Sequence, residues 1–179
     1  MRTLTIGLLL TTLGTIQLGC AAGWGDHAQG QSSAAPVASD GKTCVMQAGG
    51  TDVLKLTADP KTECKGSDGT MTMTLGEMRV YVWMVGGTVD SAVAGVAGAI
   101  KDEFKGFKAT STTPLTIAGS PAVRMVGTGA EADDGDPGTA DVIVFKVGDH
   151  VFVAGVHGEH LPAAEQQWLL NVVQTAAKP

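Results

Sequence analysis

Strand-like runs joined by a two-residue turn constrain the fold of this chain more than any other feature. Residues 141–147 (DVIVFKV) and 150–156 (HVFVAGV) are rich in β-branched and aromatic residues, and they flank Gly148 and Asp149. Two short turn residues between strongly β-forming runs predict an antiparallel hairpin. A second pair, 43–48 and 52–58, surrounds two glycines in the same way, so the chain is expected to build an antiparallel sheet.

Further strands follow from alternation and from proline. Thr alternates with apolar residues in 70–75 (TMTMTL), which is typical of a half-buried strand. The segment 79–85 (RVYVWMV) is β-branched and aromatic and predicts a central strand. Pro114 indicates that 107–116 is an edge strand, and residues 64–69 predict a turn. The predicted strands are 43–48, 52–58, 70–75, 79–85, 107–116, 122–128, 141–147 and 150–156.

Two segments carry helical periodicity. Residues 88–104 have apolar side chains at three- and four-residue spacing, from Val89 to Phe104. A last helix begins near Pro162, with a buried stripe of Trp168, Leu169, Val172, Val173 and Ala176. The order is four strands, a helix, four strands and a helix. This order predicts the α+β class, an antiparallel sheet of about eight strands with two main helices packed against it.

The first residues predict export. A positive start (Met1-Arg2-Thr3) precedes a short apolar run, which indicates a secretory signal rather than a membrane span. The run ends in Gly19-Cys20, which resembles the bacterial lipobox. The resemblance implies a lipoprotein signal peptide over 1–19 and diacylglycerol on Cys20. The alternative is ordinary cleavage after Ala22, which would leave a soluble periplasmic or secreted protein.

The composition of the mature chain predicts two parts, a tether and a folded domain. Residues 20–41 are rich in Gly, Ser, Ala and Gln and predict a flexible tether. Residues 42–179 are expected to form a single α+β domain. Because exported chains meet an oxidising environment, Cys44 and Cys64 predict a disulfide. The alternative, a redox or metal pair, lacks the Cys-x-x-Cys spacing.

A family resemblance covers residues 88–177. The segment 115–125 (LTIAGSPAVRM) resembles a turn found in exported bacterial proteins with a PsbP-like fold, such as the DcrB and LpqN lipoprotein groups. The resemblance implies a central antiparallel sheet flanked by helices. It implies an accessory, assembly or binding role, and it brings no catalytic motif.

Two clusters could hold a metal ion. His150, His157, Glu159 and His160 offer nitrogen and carboxylate ligands of the kind zinc favours. The alternative is a polar connection into the last helix. The acidic loop 131–136 offers carboxylates to calcium, although it lacks the EF-hand order, and a solvated turn is the alternative.

The net charge and the absence of several motifs exclude some classes of function. A net charge of −6 argues against nucleic acid, which requires clustered Lys and Arg. The sequence has no Gly-x-Ser-x-Gly, phosphate loop or dinucleotide fingerprint, so neither catalysis nor a cofactor is expected. We expect a non-enzymatic, lipid-anchored protein of the cell envelope that binds a partner protein or supports envelope assembly. Ala21, not Asp, follows Cys20, and the resemblance to Gram-negative lipoproteins implies sorting to the outer membrane. The alternative is a lipoprotein that binds a small ligand or metal through the acidic loop or the late histidines.

Overall fold

The computed structural model describes residues 41–179. The predicted signal peptide over 1–19, the lipidation residue Cys20 and the tether as far as residue 40 lie outside the described residues, and they stay predictions. No helix within 41–179 is both long and apolar enough to cross a membrane.

The described chain is an α+β fold built mostly of antiparallel sheet, as predicted. A seven-stranded sheet has the order β3-β4-β5-β9-β8-β7-β6, and β1 and β2 form a separate two-stranded sheet. Two helices complete the fold. The elements are β1 Lys42–Ala48, β2 Thr51–Ala58, β3 Glu63–Ser67, β4 Thr70–Leu75, β5 Met78–Val85, α1 Val89–Ala99, β6 Phe104–Ile117, β7 Ser120–Glu131, β8 Pro137–Val147, β9 His150–Gly158 and α2 Ala163–Gln174.

The strand count is nine rather than eight, and the additional strand is β3. The sequence predicts a turn over 64–69, but Glu63–Ser67 pairs with β4 along its whole length. The strand has no apolar alternation because it lies at the edge of the sheet and most of its residues are exposed. β3 is a strand because it forms a hairpin with β4, and a prediction based on alternating apolar residues could not detect it.

Helix α1 is shorter than predicted. It ends at Ala99 with Ile100 as its C-cap, and Phe104 begins strand β6 instead of closing the helical stripe. Gly95 and Gly98 weaken the end of the helix. The ring of Phe104 is fully buried against the sheet, and this packing outweighs the helical spacing.

The two faces of the large sheet are covered by different elements. Alternate residues of β9 point to opposite faces. Phe152 and Ala154 pack in the cluster that includes α2 and the β1-β2 hairpin. Val151 and Val153 pack in the cluster that includes α1. The α2 stripe predicted from the sequence is buried as expected.

The predicted disulfide between Cys44 and Cys64 is present. It joins β1 to β3, with 5.9 Å between the two Cα atoms. Cys44 is buried in the cluster on the α2 face. The bridge therefore fastens the small hairpin to the edge strand that the sequence did not predict.

Candidate functional site

A cleft of about 320 Å³ opens at one end of the large sheet. Five separate segments line it: the β4–β5 turn with the start of β5, the connection from α1 to β6, the end of β7 with its following loop, the end of β9, and the first turn of α2. Antiparallel pairing brings the end of β9 beside the start of β5. The lining residues are Glu77, Arg79, Tyr81, Asp102, Glu103, Glu131, Ala132, Asp133, His157 and Glu165.

One wall of the cleft belongs to a row of rings on the α1 face. Tyr81 stacks on Trp83 with ring centroids 5.8 Å apart, and on His157 with centroids 5.5 Å apart. Phe104 lies on the other side of His157, with its centroid 5.7 Å from the imidazole. The imidazole is thus held between Tyr81 and Phe104, and the end of β9 has a fixed aromatic environment.

Glycines make room for Phe104. A Cβ on Gly129 would collide with the Phe104 ring, and one on Gly138 would lie 3.1 Å from its Cε2. Gly129 and Gly138 are paired across β7 and β8, so the ring rests on a patch of bare backbone. Because Gly129 and Gly138 lack side chains, the Phe104 ring can pack directly on the backbone, where it contacts His157.

His157 is the least satisfied polar side chain of the cleft. Both ring nitrogens are buried, and neither has a hydrogen-bond partner among the described residues. The nearest carboxylate oxygen, Glu131 Oε1, lies 3.8 Å from Nδ1, which is beyond hydrogen-bond range. Glu131 is therefore not tied to the histidine by a hydrogen bond, and its carboxylate keeps its capacity to accept one from a ligand.

The charges of the cleft are strongly unbalanced. Six of its lining residues are carboxylates, against a single arginine. The Nη1 atom of Arg79 donates to the Tyr81 hydroxyl at 3.3 Å, and this hydrogen bond raises the pKa of Arg79. Burial raises the pKa of Glu165, the neighbouring charge of Glu77 raises it further, and His157 opposes the shift. Such a field attracts cations and repels anions.

The structure does not bring together the four predicted metal ligands. His150 and His157 lie at opposite ends of β9, seven residues and about 23 Å apart. The side chains of His160 and Glu159 are 92% and 71% exposed, and they face each other at 3.8 Å. Of the four, only His157 lines the cleft. The set therefore does not form one metal site, because the extended strand separates His150 from the others, and Glu159 and His160 are exposed after the strand ends.

The acidic loop contributes to the same cleft. Carboxylate oxygens of Glu131, Asp133 and Asp134 lie within 4.8 Å of one another. Two of these groups also order the loop, since Asp133 accepts from the backbone N–H of Asp134 and Asp134 accepts from that of Asp136, both at 3.0 Å. The acidic loop and one late histidine, which the sequence offered as alternatives, thus meet in one place.

Sequence reasoning missed six of the ten lining residues. Glu77 lies in the β4–β5 turn, Arg79 and Tyr81 lie in β5, Asp102 and Glu103 follow α1, and Glu165 lies in the first turn of α2. None has a motif or a local spacing that points to a site. Their proximity arises from strand order alone, and only the topology could have revealed it.

Comparisons with known proteins show a shared fold and nothing further. No family model matches the chain, and no curated protein matches it. A crystal structure of a protein from Bacteroides thetaiotaomicron is 12% identical, with a TM-score of 0.50, over 78% of this chain and 48% of that one. The chain therefore spans about half the length of that protein. A protein of unknown function from Pseudomonas aeruginosa is 12% identical over 70% of this chain and 86% of that one, with a TM-score of 0.38.

Proposed function

We propose that this protein is a lipid-anchored protein of the cell envelope that acts by binding, and that the acidic cleft is its binding site for a positively charged group. The group belongs either to a partner protein or to a small ligand. The observation that carries the proposal is the convergence of six carboxylates from separate segments around one cleft with a single arginine.

The cleft carries two energetic costs, and binding of a cation would reduce one of them. Burial of a polar group without a partner costs free energy, and both nitrogens of His157 are in that position. Mutual repulsion of Glu77 and Glu165 adds to the cost. Functional sites are where natural proteins keep such local conflicts. A cation among these carboxylates would offset the repulsion.

Binding rather than catalysis fits the geometry. A nucleophile must lie within hydrogen-bond reach of its base. Neither nitrogen of His157 is hydrogen-bonded to any residue of the described chain, so this histidine activates no Ser, Thr or Cys there. The remaining lining groups are mostly carboxylates, which suit recognition of positive charge.

The anchor and the finer fold are also proposals. Lipidation at Cys20, with the protein in the outer membrane facing the periplasm, is supported by the Gly19-Cys20 sequence after a short apolar run. A PsbP-like fold is supported by the order of a helix, two paired strands, a hairpin and a final helix from Val89 to Gln174.

Mass spectrometry of the mature N-terminus tests the anchor. An N-terminal Cys20 with the mass of a diacylglycerol is expected, and a Cys20→Ser variant should lose that mass and leave the membrane fraction. A free amine at Gly23 without acyl mass would contradict lipidation.

Site-specific crosslinking tests the binding role. A photoreactive residue at Tyr81, within the cleft, should give an adduct in cells that disappears when Glu131→Gln and Glu165→Gln are combined. The same residue at Lys146, which is exposed and outside the cleft, is the control. Equal adducts at both positions, or an adduct that survives the two substitutions, would contradict the proposal.

A further inference from the structure

The size of the cleft bears on the kind of cation that it would hold. Its volume of about 320 Å³ is at the lower end of the range for small-molecule pockets, roughly 300–1,000 Å³. A bare metal ion is instead held by a tight cage of oxygen ligands about 2.0–2.6 Å from it. The cleft is therefore large enough for a small organic group and much larger than an ion requires.

The arrangement of the carboxylates points the same way. Within residues 41–179, only Glu131, Asp133 and Asp134 form a group of three whose carboxylate oxygens lie within 4.8 Å of one another. Asp133 and Asp134 of that trio already accept backbone hydrogen bonds inside the loop. The other four carboxylates come from the β4–β5 turn, the α1–β6 connection and α2, and they surround the space instead of converging on a point. Spread charges suit an extended ligand with several N–H donors.

The aromatic wall supplies the apolar part of the site. Tyr81 and His157 line the cleft and stack on each other, so their rings present a rigid border beside the carboxylates. The methylene stem of an amine packs on such a surface while its charged end stays with the acidic groups. Glu131 lies beside this wall and is not hydrogen-bonded to His157.

We propose that the cleft recognises an organic ammonium or guanidinium group on an aliphatic stem, in preference to a metal ion. This inference rests on the proposed function, because it names the ligand of the same cleft. The group can be a free small amine, or a lysine or arginine side chain of a partner. Both present the same chemistry to the carboxylates.

Calorimetric titration of the mature chain tests the inference with four probes. These are 1,5-diaminopentane, its uncharged counterpart 1,5-pentanediol, the capped tripeptide acetyl-Gly-Lys-Gly-amide, and calcium chloride. The variant removes two cleft charges with Glu131→Gln and Glu165→Gln. The matched control removes two exposed charges outside the cleft with Glu63→Gln and Asp149→Asn.

One-to-one binding of the diamine or the tripeptide is expected. Its affinity should fall at least tenfold in the cleft variant and change less than twofold in the control. The diol should not bind, and calcium should bind at least tenfold more weakly. Binding of the diamine alone would identify a free amine, and binding of the tripeptide alone would identify a partner's side chain.

Other outcomes would distinguish a failure of the organic cation as the ligand from a failure of the cleft as a binding site. Calcium binding that is tighter than that of either amine, and that is lost in the cleft variant, would overturn the organic cation but keep the cleft as a binding site. Amine affinity that is equal in the cleft variant and the control would overturn the organic cation at this cleft. Failure of every probe to bind would overturn the organic cation as the ligand of the cleft, and it would leave the binding role itself to the crosslinking test.

Discussion

Two carboxylates on opposite faces of the large sheet have opposite environments. Asp141, on the α2 face, is fully buried and accepts from Nε of Arg124 at 3.0 and 3.1 Å. Arg124 also contacts Gln166 of α2, so the pair joins the sheet to the helix. Glu131, at the cleft, faces His157 at 3.8 Å without a hydrogen bond.

The difference separates a structural charge from one that is available to a ligand. A charge taken fully out of water must be paired, and the hydrogen bond to Asp141 raises the pKa of Arg124 accordingly. The cleft carboxylates remain partly in contact with water, and none of them forms an ion pair with a lysine or arginine of residues 41–179. The cleft carboxylates are therefore the acidic groups that are free to bind a cation from outside the chain.

Removal of the Asp141 partner should have the largest effect. Arg124→Met leaves a buried carboxylate without its cation, and we expect a loss of about 3–5 kcal/mol in the free energy of unfolding. Urea denaturation followed by circular dichroism measures it. The double variant Arg124→Met with Asp141→Leu should recover most of the loss. If Arg124→Met alone were as stable as the wild type, Asp141 would not depend on its ion pair, and the contrast with Glu131 would fail.

Removal of the disulfide should have the second-largest effect on stability. Cys44 and Cys64 are 20 residues apart, and loss of this crosslink by Cys44→Ser with Cys64→Ser is expected to cost about 3 kcal/mol. Denaturation with and without reductant checks the value. The wild type under reductant should match the variant, and a variant unaffected in stability would show that the hairpin does not depend on its bridge.

The aromatic wall of the cleft can be disturbed through a glycine. Gly129→Ala forces a Cβ into the Phe104 ring, and a loss of about 1–3 kcal/mol is expected. The control is Gly98→Ala on α1, where a Cβ meets nothing within 4 Å and helix propensity should add about 0.5–1 kcal/mol. Thermal unfolding measures both. Equal effects of the two substitutions would contradict the packing of Phe104 on bare backbone.

The smallest expected effect is a stabilisation that depends on pH. The pKa of Glu165 is raised in the folded chain by burial and by Glu77, so ionisation at pH 7 opposes folding. Glu165→Gln should therefore raise Tm at pH 7. The gain should shrink as the pH falls through the raised pKa, because the wild-type side chain then becomes protonated. A gain that is independent of pH would point to a cause other than charge.

Much of the fold was predictable because its signals are local. The hairpin at Gly148 and Asp149 and the stripe of α2 depend on turn chemistry and periodicity within a few residues. Strand β3 was missed because its pairing, not its own pattern, makes it a strand. The end of α1 was misplaced because the burial of Phe104 depends on glycines 25 and 34 residues further along the chain.

The candidate site was predictable only in part. The acidic loop and His157 stood out by composition, but neither indicated the other. Glu77, Arg79 and Glu165 have no local signal, since strand order and the docking of α2 bring them to the cleft. His150 shows the converse error, because a position seven residues from His157 is near in sequence and distant along an extended strand.

The most direct test of the cleft is a map of backbone amide shifts by NMR during titration with 1,5-diaminopentane. Shifts are expected at the start of β5, the end of β9, the loop 132–136 and the first turn of α2, and they should vanish when Glu131→Gln and Glu165→Gln are combined. Shifts spread evenly over the exposed carboxylates, or unchanged in that variant, would contradict a binding site at this end of the sheet.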